Sequence, residues 1–283
     1  MKKYTWSVVI LLLVCLIYAK LKESAPQEEW ATTMIIPMEV RNKESIPFVS
    51  RETNTHRFIQ NEFQWHEKDI VFDSIYTTND YLGAIHIGCL FYPDIRSAIL
   101  EWAISDSLIG FEVRHYKHGK WKKAFQVDHI PSIYYSSGFN FGKTVDLSDF
   151  NGDFIPDLLI YIEEWHGIGT GYRCKLWLTN KNSFTEVRGF DAIVSPEYDV
   201  EQDIICSYES GGCADMAMHF SLWKLQSDSV HCFKNINLDC CVTEDSCCRV
   251  TIDDDKSILV HGHKVYLHAP RYYREQVKEK MMY

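Results

Sequence analysis

Phe111-Glu112-Val113-Arg114-His115-Tyr116 changes character at every second position, so an extended backbone sends Phe111, Val113 and His115 to one face and Glu112, Arg114 and Tyr116 to the other. Lys117-His118-Gly119-Lys120 follows as a turn before Trp121, and the whole reads as a β-hairpin. Outward from it, short apolar or aromatic runs recur at Ile70 to Tyr76, Tyr81 to Tyr92, Ser107 to Tyr116, Ile155 to Ile162, Tyr172 to Thr179 and Ile204 to Tyr208. Their Val, Ile, Tyr, Phe and Trp content and their turn boundaries predict strands. The expected fold class is therefore all-β, or mainly β, built from antiparallel sheets. One segment reads differently: Ile95, Ala98, Ile99, Trp102 and Ala103 follow a helical spacing and predict a short helix over 95–104. No repeat of fixed period stands out, which counts against a long solenoid and leaves divergent propeller-like blades open.

The 283 residues are 46% hydrophobic and 14% aromatic, with only 14 Gly and 8 Pro, a composition of folded chains rather than disordered or collagen-like ones. With 29 Lys+Arg against 39 Asp+Glu the formal charge is -10, which repels a polyphosphate, so nucleic acid is not an expected partner. Met1-Lys2-Lys3 precedes an apolar run from Trp6 to Ala19 that Lys20, Lys22 and Glu23 close, the form of an export signal. The run falls short of the roughly 20 residues of a relaxed membrane span, which favours a signal peptide over an uncleaved anchor at residues 5–19. Membrane attachment is expected only through this segment. Bulky Ile17 makes a poor cleavage site after Ala19, and Leu13-Val14 before Cys15 lacks the small residues of a lipidation signal. The expected organisation is a leader or anchor at 1–19, a polar spacer at 20–62 with Pro26, Pro37, Pro47 and one candidate strand at Thr33 to Val40, a β-rich domain at 63–268, and a charged, solvated tail at 269–283. The expected location is the periplasm or cell envelope.

The most chemically specific stretch is Asp149-Phe150-Asn151-Gly152-Asp153-Phe154-Ile155-Pro156-Asp157-Leu158. Asp149, Asn151, Asp153 and Asp157 put oxygen side chains at its first, third, fifth and ninth positions, and the Ile155 carbonyl can add another. Calcium takes roughly six to eight oxygens, and a divalent ion turns the mutual repulsion of three carboxylates into attraction. A conventional EF-hand is disfavoured, because the twelfth position is Ile160 and the flank is strand-like. Asp146, Glu163, Glu164 or water are candidates to complete the shell. The alternative is an Asx-rich turn with no ion.

These residues resemble the calcium loops of integrin-type FG-GAP propeller blades. With Gly167-Ile168-Gly169-Thr170-Gly171-Tyr172, Lys175-Leu176-Trp177-Leu178, Ser195-Pro196-Glu197-Tyr198-Asp199, Ile204 to Ser207 and Gly211-Gly212, the region Ser132 to Leu225 resembles a bacterial envelope family of calcium-binding β-proteins related to inhibitors of invertebrate-type lysozyme. That resemblance implies a bound Ca2+, a role as a binding module and a lysozyme or other envelope protein as partner. One position departs from both families: Phe154 stands where they usually carry Gly, a position that often needs a backbone conformation costly for a large side chain.

Of ten cysteines, nine lie beyond Cys15, so at least one of those is left without an intramolecular bridge. A hairpin around Val242 to Ser246 would set Cys240 opposite Cys248 and Cys241 opposite Cys247, and Cys206 with Cys213 would close a smaller loop. Disulfides fit an exported chain better than a zinc knuckle does, because vicinal cysteines are not the spacing of such knuckles. Cys89 and Cys174, inside strand-like runs, read as buried apolar side chains.

No catalytic residue is assigned. Glu163, Glu164 and His166 beside a cation would suit metal-assisted hydrolysis, making an envelope hydrolase the rival class, but neighbouring strand residues face opposite ways. His261-Gly262-His263 has the look of a chelate without a third ligand. Ser136-Ser137-Gly138 and Ser210-Gly211-Gly212 are turn sequences without a nucleophile elbow. Trp165, Tyr172 and Tyr208 form the candidate contact surface, since rigid aromatics supply much interface energy; a purely structural module is the third class.

Overall fold

Strands dominate because the chain alternates or saturates its apolar positions over runs of three to twelve residues, and antiparallel neighbours satisfy the backbone of each run. In the computed structural model, residues 51–282 are described apart from 78–81, 106, 132–143, 166–168, 182, 213–214, 242–246, 254 and 256, all within one unit, Phe48–Tyr283. The leader, the spacer up to residue 50, Ser136 to Gly138, His166 and Cys213 lie outside the described residues. No described helix is long and apolar enough to cross a membrane.

Helix α1 (Arg51–His66) precedes a five-stranded meander of β1 (Phe72–Thr77), β2 (Leu82–Tyr92), β3 (Ile95–Ser105), β4 (Leu108–Lys117) and β5 (Lys120–Pro131). A second sheet of ten strands follows. Its first part holds β6 (Val145–Ser148), β7 (Asp157–Trp165), β8 (Gly169–Asn180) and β9 (Ser183–Glu186). Its second part holds β10 (Glu197–Asp199), β11 (Ile204–Gly211), β12 (Ala217–Gln226), β13 (Ser229–Asp239), β14 (Cys247–Ile252) and β15 (Ile258–His261). Every named strand pairing is antiparallel, and the described strands form two sheets rather than a ring of four-stranded blades. The mainly-β, antiparallel expectation is met; the propeller-like arrangement is not.

The opening hairpin is β4–β5, with Tyr116 opposite Trp121 and Lys117 opposite Lys120. Phe111 and Val113 are buried with Ile99, Leu158, Ile160 and Trp177, where the two sheets pack together. Glu112 is also buried, because α1 covers the other face: Gln60 Nε2 donates to Glu112 Oε2 at 3.3 Å, and Arg114 bonds Glu112 while its guanidinium lies 4.8 Å from the Phe63 ring centroid. This double cover corrects the helix expected over 95–104. Those residues are the central strand β3, with Ser97 to Ile104 buried without interruption. A strand apolar on both faces loses its two-residue alternation, so its chance spacing imitates a helix.

Two boundaries are corrected as well. The spacer does not run to residue 62, since Ile59 and Phe63 of α1 are buried against Ile85, Leu100 and Trp102. The end of the chain is no solvated tail. A 3₁₀ stretch (Gly262–His268), a 3₁₀ turn (Arg271–Tyr273) and helix α2 (Arg274–Lys280) lay Val265, Ala269, Tyr273 and Val277 onto the core of β11 to β14, among Phe220, Leu238 and Val250. Ala269 is extended between the two 3₁₀ segments, so these four contacts come from separate short pieces, and charged neighbours hide them in the sequence.

Cys240 and Cys248 form the bridge expected across the β13–β14 hairpin. The second bridge expected there, between Cys241 and Cys247, does not form. The Cys241 sulfur points toward Gly212, whereas Cys247 Sγ lies 3.6 Å from His261 Nδ1 on the facing strand β15. Cys174 and Cys206 are fully buried, but Cys89 is exposed, at a register irregularity of the β2–β3 pair.

Candidate functional site

Two places in the second sheet gather the chemistry that the sequence singled out. The first is the connection between β6 and β7, closed by the pair Ser148 and Asp157. Asp149 curls it: Oδ1 accepts from the N–H groups of Asn151 (3.1 Å) and Gly152 (2.7 Å), and Oδ2 from that of Phe154 (2.8 Å). Asn151 Oδ1 accepts from Asp153 N at 3.0 Å, and Asp153 Oδ1 from Ile155 N at 2.8 Å. Gly152 and Phe154 both take a left-handed backbone, with φ of 74° and 63°. At Gly152 a side chain would also meet the Tyr198 hydroxyl, 2.9 Å from an added Cβ. Phe154 therefore carries the conformation that its departure from glycine makes costly, with its side chain 90% exposed.

Asp157 serves a different purpose. It is fully buried, and its two oxygens accept from the N–H groups of Phe150 (2.9 Å) and Thr179 (2.8 Å), tying the loop to β8. Burial pushes its carboxyl up to about 6, against the pull of those two amides. Asp149, Asn151 and Asp153 are an all-oxygen donor set of the kind hard cations choose, and each oxygen that takes one amide keeps a second lone pair. Among the described residues no three His, Cys, Asp or Glu side chains are already gathered as a metal cluster.

The second place is a cleft of about 420 Å³. Its origin is a fault in the sheet. Strands β8 and β11 pair only at Thr170 with Ser210 and Gly169 with Gly211, and then part. Residues 194–195 enter the gap: Val194 O accepts from Tyr208 N at 3.2 Å, and Ser195 N donates to Tyr172 O at 2.8 Å. Tyr172 and Tyr208 thus stand on opposite lips, joined by Glu164 from β7, Glu197 from β10, and Tyr272 and Tyr273 from the end of the chain. The Tyr272 hydroxyl donates to Glu197 Oε2 at 3.3 Å, and Lys280 Nζ donates to the Tyr208 hydroxyl at 2.8 Å. Burial first, and the charge of Glu197 second, raise the hydroxyls of Tyr172, Tyr272 and Tyr273 above the usual phenol range, so all three are neutral donors near pH 7.

Of the three aromatic residues named from sequence, the structure brings Tyr172 and Tyr208 together, while the side chain of Trp165 is outside the described set. Glu163 and Glu164 separate as strand neighbours should. Glu163 takes Arg173 NH1 at 3.2 Å, and Glu164 lines the cleft across from Tyr172. His261 and His263 stack with ring centroids 5.8 Å apart. Sequence reasoning missed Tyr272 and Tyr273, which it placed in a solvated tail; the apolar spacing of Ala269, Tyr273 and Val277 was the signal.

No protein-family model matches the chain, and no curated protein matches it. Among solved structures, a Xanthomonas Type IV secretion system related protein is similar at a TM-score of 0.39 and 13% identity, over 66% of this chain and 97% of that one. A likeness of that depth carries no information about function.

Proposed function

We propose that the protein is an exported binding module of the cell envelope, acting through contact rather than turnover, with the tyrosine cleft as its contact site and the β6–β7 loop as a calcium-stabilised brace. The observation that carries this reading is the convergence of four tyrosines from three separate parts of the chain into one cleft where β8 and β11 part, because aromatics already gathered bind at low entropic cost. Calcium, when bound, supplies positive charge that offsets Asp149 and Asp153; those side chains, Asn151 and the Ile155 carbonyl would hold it, while Asp157 anchors the loop from beneath. A lysozyme is the partner that the resemblance of Ser132 to Leu225 favours.

Calorimetric titration of calcium into EDTA-stripped full-length protein is expected to show one saturable site that Asp153→Ala abolishes. No heat in the parent protein would mean that Phe154 holds the loop in an ion-free turn. Separately, muramidase assays with several lysozyme types are expected to show stoichiometric inhibition of at least one, weakened at least about tenfold by Tyr172→Ala. Full activity of every type in excess protein would remove the lysozyme partner.

A further inference from the structure

His261-Gly262-His263 has no third donor near it in the sequence, and the fold supplies one. Strands β14 and β15 pair Cys247 with His261, and that register brings Cys247 Sγ to 3.6 Å from His261 Nδ1. A sulfur at about 2.3 Å and a nitrogen at about 2.0–2.1 Å from one tetrahedral ion stand roughly 3.6 Å apart. These two atoms therefore already hold the spacing of neighbouring ligands. His263 stacks with His261 at 5.8 Å between ring centroids. Two imidazoles on one such ion have centroids roughly 5 Å apart. Among the described residues no three donors are already gathered, and His263 is the one that must turn in. It is exposed, and no hydrogen bond among the described residues holds its nitrogens.

The frame around these donors is fixed on both sides. The Cys240–Cys248 bridge ties β14 to β13 one residue from Cys247, and buried Val265 anchors the 3₁₀ stretch two residues beyond His263. Donors placed in advance are bound with less ordering to oppose them. They also meet solvent, with Cys247 half-buried and both imidazoles exposed. Cys174 and Cys206 are by contrast fully buried, and burial pushes the Cys206 thiol up to about 12, which disfavours the thiolate that a metal needs.

One sulfur and two ring nitrogens, with no carboxylate, are donors for a soft or borderline ion and not for calcium. The other use of a thiol beside an imidazole is as a nucleophile with its base, and such a base is oriented by a further group. His261 meets a second imidazole instead. We propose that Cys247, His261 and His263 form a binding site for a thiophilic metal ion, of the zinc or cuprous type, at the β15 edge of the second sheet. As the ion enters, the Cys247 thiol releases its proton to solvent and the sulfur–metal bond forms, with no change of oxidation state. The site shares no residue with the tyrosine cleft or the β6–β7 loop, so it stands or falls apart from the function proposed above.

The test uses the full-length protein under argon, in excess calcium so that the β6–β7 loop does not compete. Zinc sulfate is titrated calorimetrically, and cuprous ion is titrated in competition with bicinchoninate; the ion that binds the tighter identifies the source. One equivalent is expected at the tightest site, weakened at least about tenfold in Cys247→Ser, in His261→Ala and in His263→Ala, and unchanged in Asp153→Ala. None of the three side chains belongs to the core around Phe220 and Val277, so these variants should keep the parent's thermal midpoint, which separates lost binding from lost folding. Cobalt(II) in the same site should show a sulfur-to-cobalt charge-transfer band that Cys247→Ser removes. Binding of neither ion, or binding retained in full by any one of the three variants, would overturn the site.

Discussion

Asp157→Ala is expected to cost about 4 kcal/mol of folding stability, from two buried amides each left unpaired at roughly 1–3 kcal/mol. Both oxygens of this buried carboxylate are engaged, one with Phe150 N inside the β6–β7 connection and one with Thr179 N on β8. Asp157 is the acceptor for both amides, so truncation strands both. Asp157→Asn should fall in between, because its amide oxygen can take one N–H while its amide nitrogen opposes the other. Asp153→Ala removes contacts at the exposed rim and should cost about 1 kcal/mol or less. Urea unfolding of the three variants in EDTA measures this directly. Equal costs for Asp157→Ala and Asp153→Ala would show that the ninth position is no more a fastener than the fifth.

The stability of the parent protein should fall by about 3 kcal/mol between pH 4.5 and 7 on account of Glu101 alone. This side chain is fully buried in the central strand β3, where its Oε2 accepts from the Thr144 hydroxyl and its Oε1 has no partner among the described residues. Burial raises its carboxyl from 4.5 to about 7, partly countered by Thr144 and His86. The folded chain therefore keeps a proton that the unfolded chain has released above pH 4.5. Its stabilising effect is complete below that pH, declines as pH rises toward 7, and is gone above it. Asp157, raised from 3.8 to about 6, adds a decline of the same sign in a lower window. In Glu101→Gln the Asp157 part remains and the Glu101 part disappears. Unfolding free energies at pH 5, 6 and 8 should thus converge on, or cross, those of the parent as pH rises; a constant difference between the two proteins at all three would refute the assignment.

How much of this could be read in advance depended on whether a segment meets solvent on one face or none. The β4–β5 hairpin was legible because its turn and alternation are local. Strand β3 was not, since burial on both faces by α1 and the second sheet erases the pattern that reveals a strand. Helix α1 was hidden for the opposite reason: only Ile59, Phe63 and a few neighbours meet the sheet, and the rest of its surface is polar apart from the exposed Trp65. The loop residues were legible as a curled, oxygen-rich turn, but the inward commitment of Asp157 depends on Thr179, 22 positions away. The cleft was half legible. Tyr172 and Tyr208 were visible as aromatics in strands, whereas their meeting with Tyr272 and Tyr273 is made by the return of the chain's end across β11 to β14.

The fault between β8 and β11 has a mechanical meaning. Elsewhere in the ten-stranded sheet, neighbours such as β11 and β12 share seven paired residues, whereas β8 and β11 share two. A load applied across the strands would concentrate at this short weld and at the 194–195 stitch beside it, and the two plates would pivot there before either lost its own ladder. Behind the weld the core around Phe190 and Leu176 takes in Ile205 of β11 and packs Trp223, Leu225 and Val230, whereas the core around Phe220 and Val277 lies wholly on the far side. A guest wedged between Tyr172 and Tyr208 would act as a strut across that pivot, so the sheet's compliance and the occupancy of its cleft are one property.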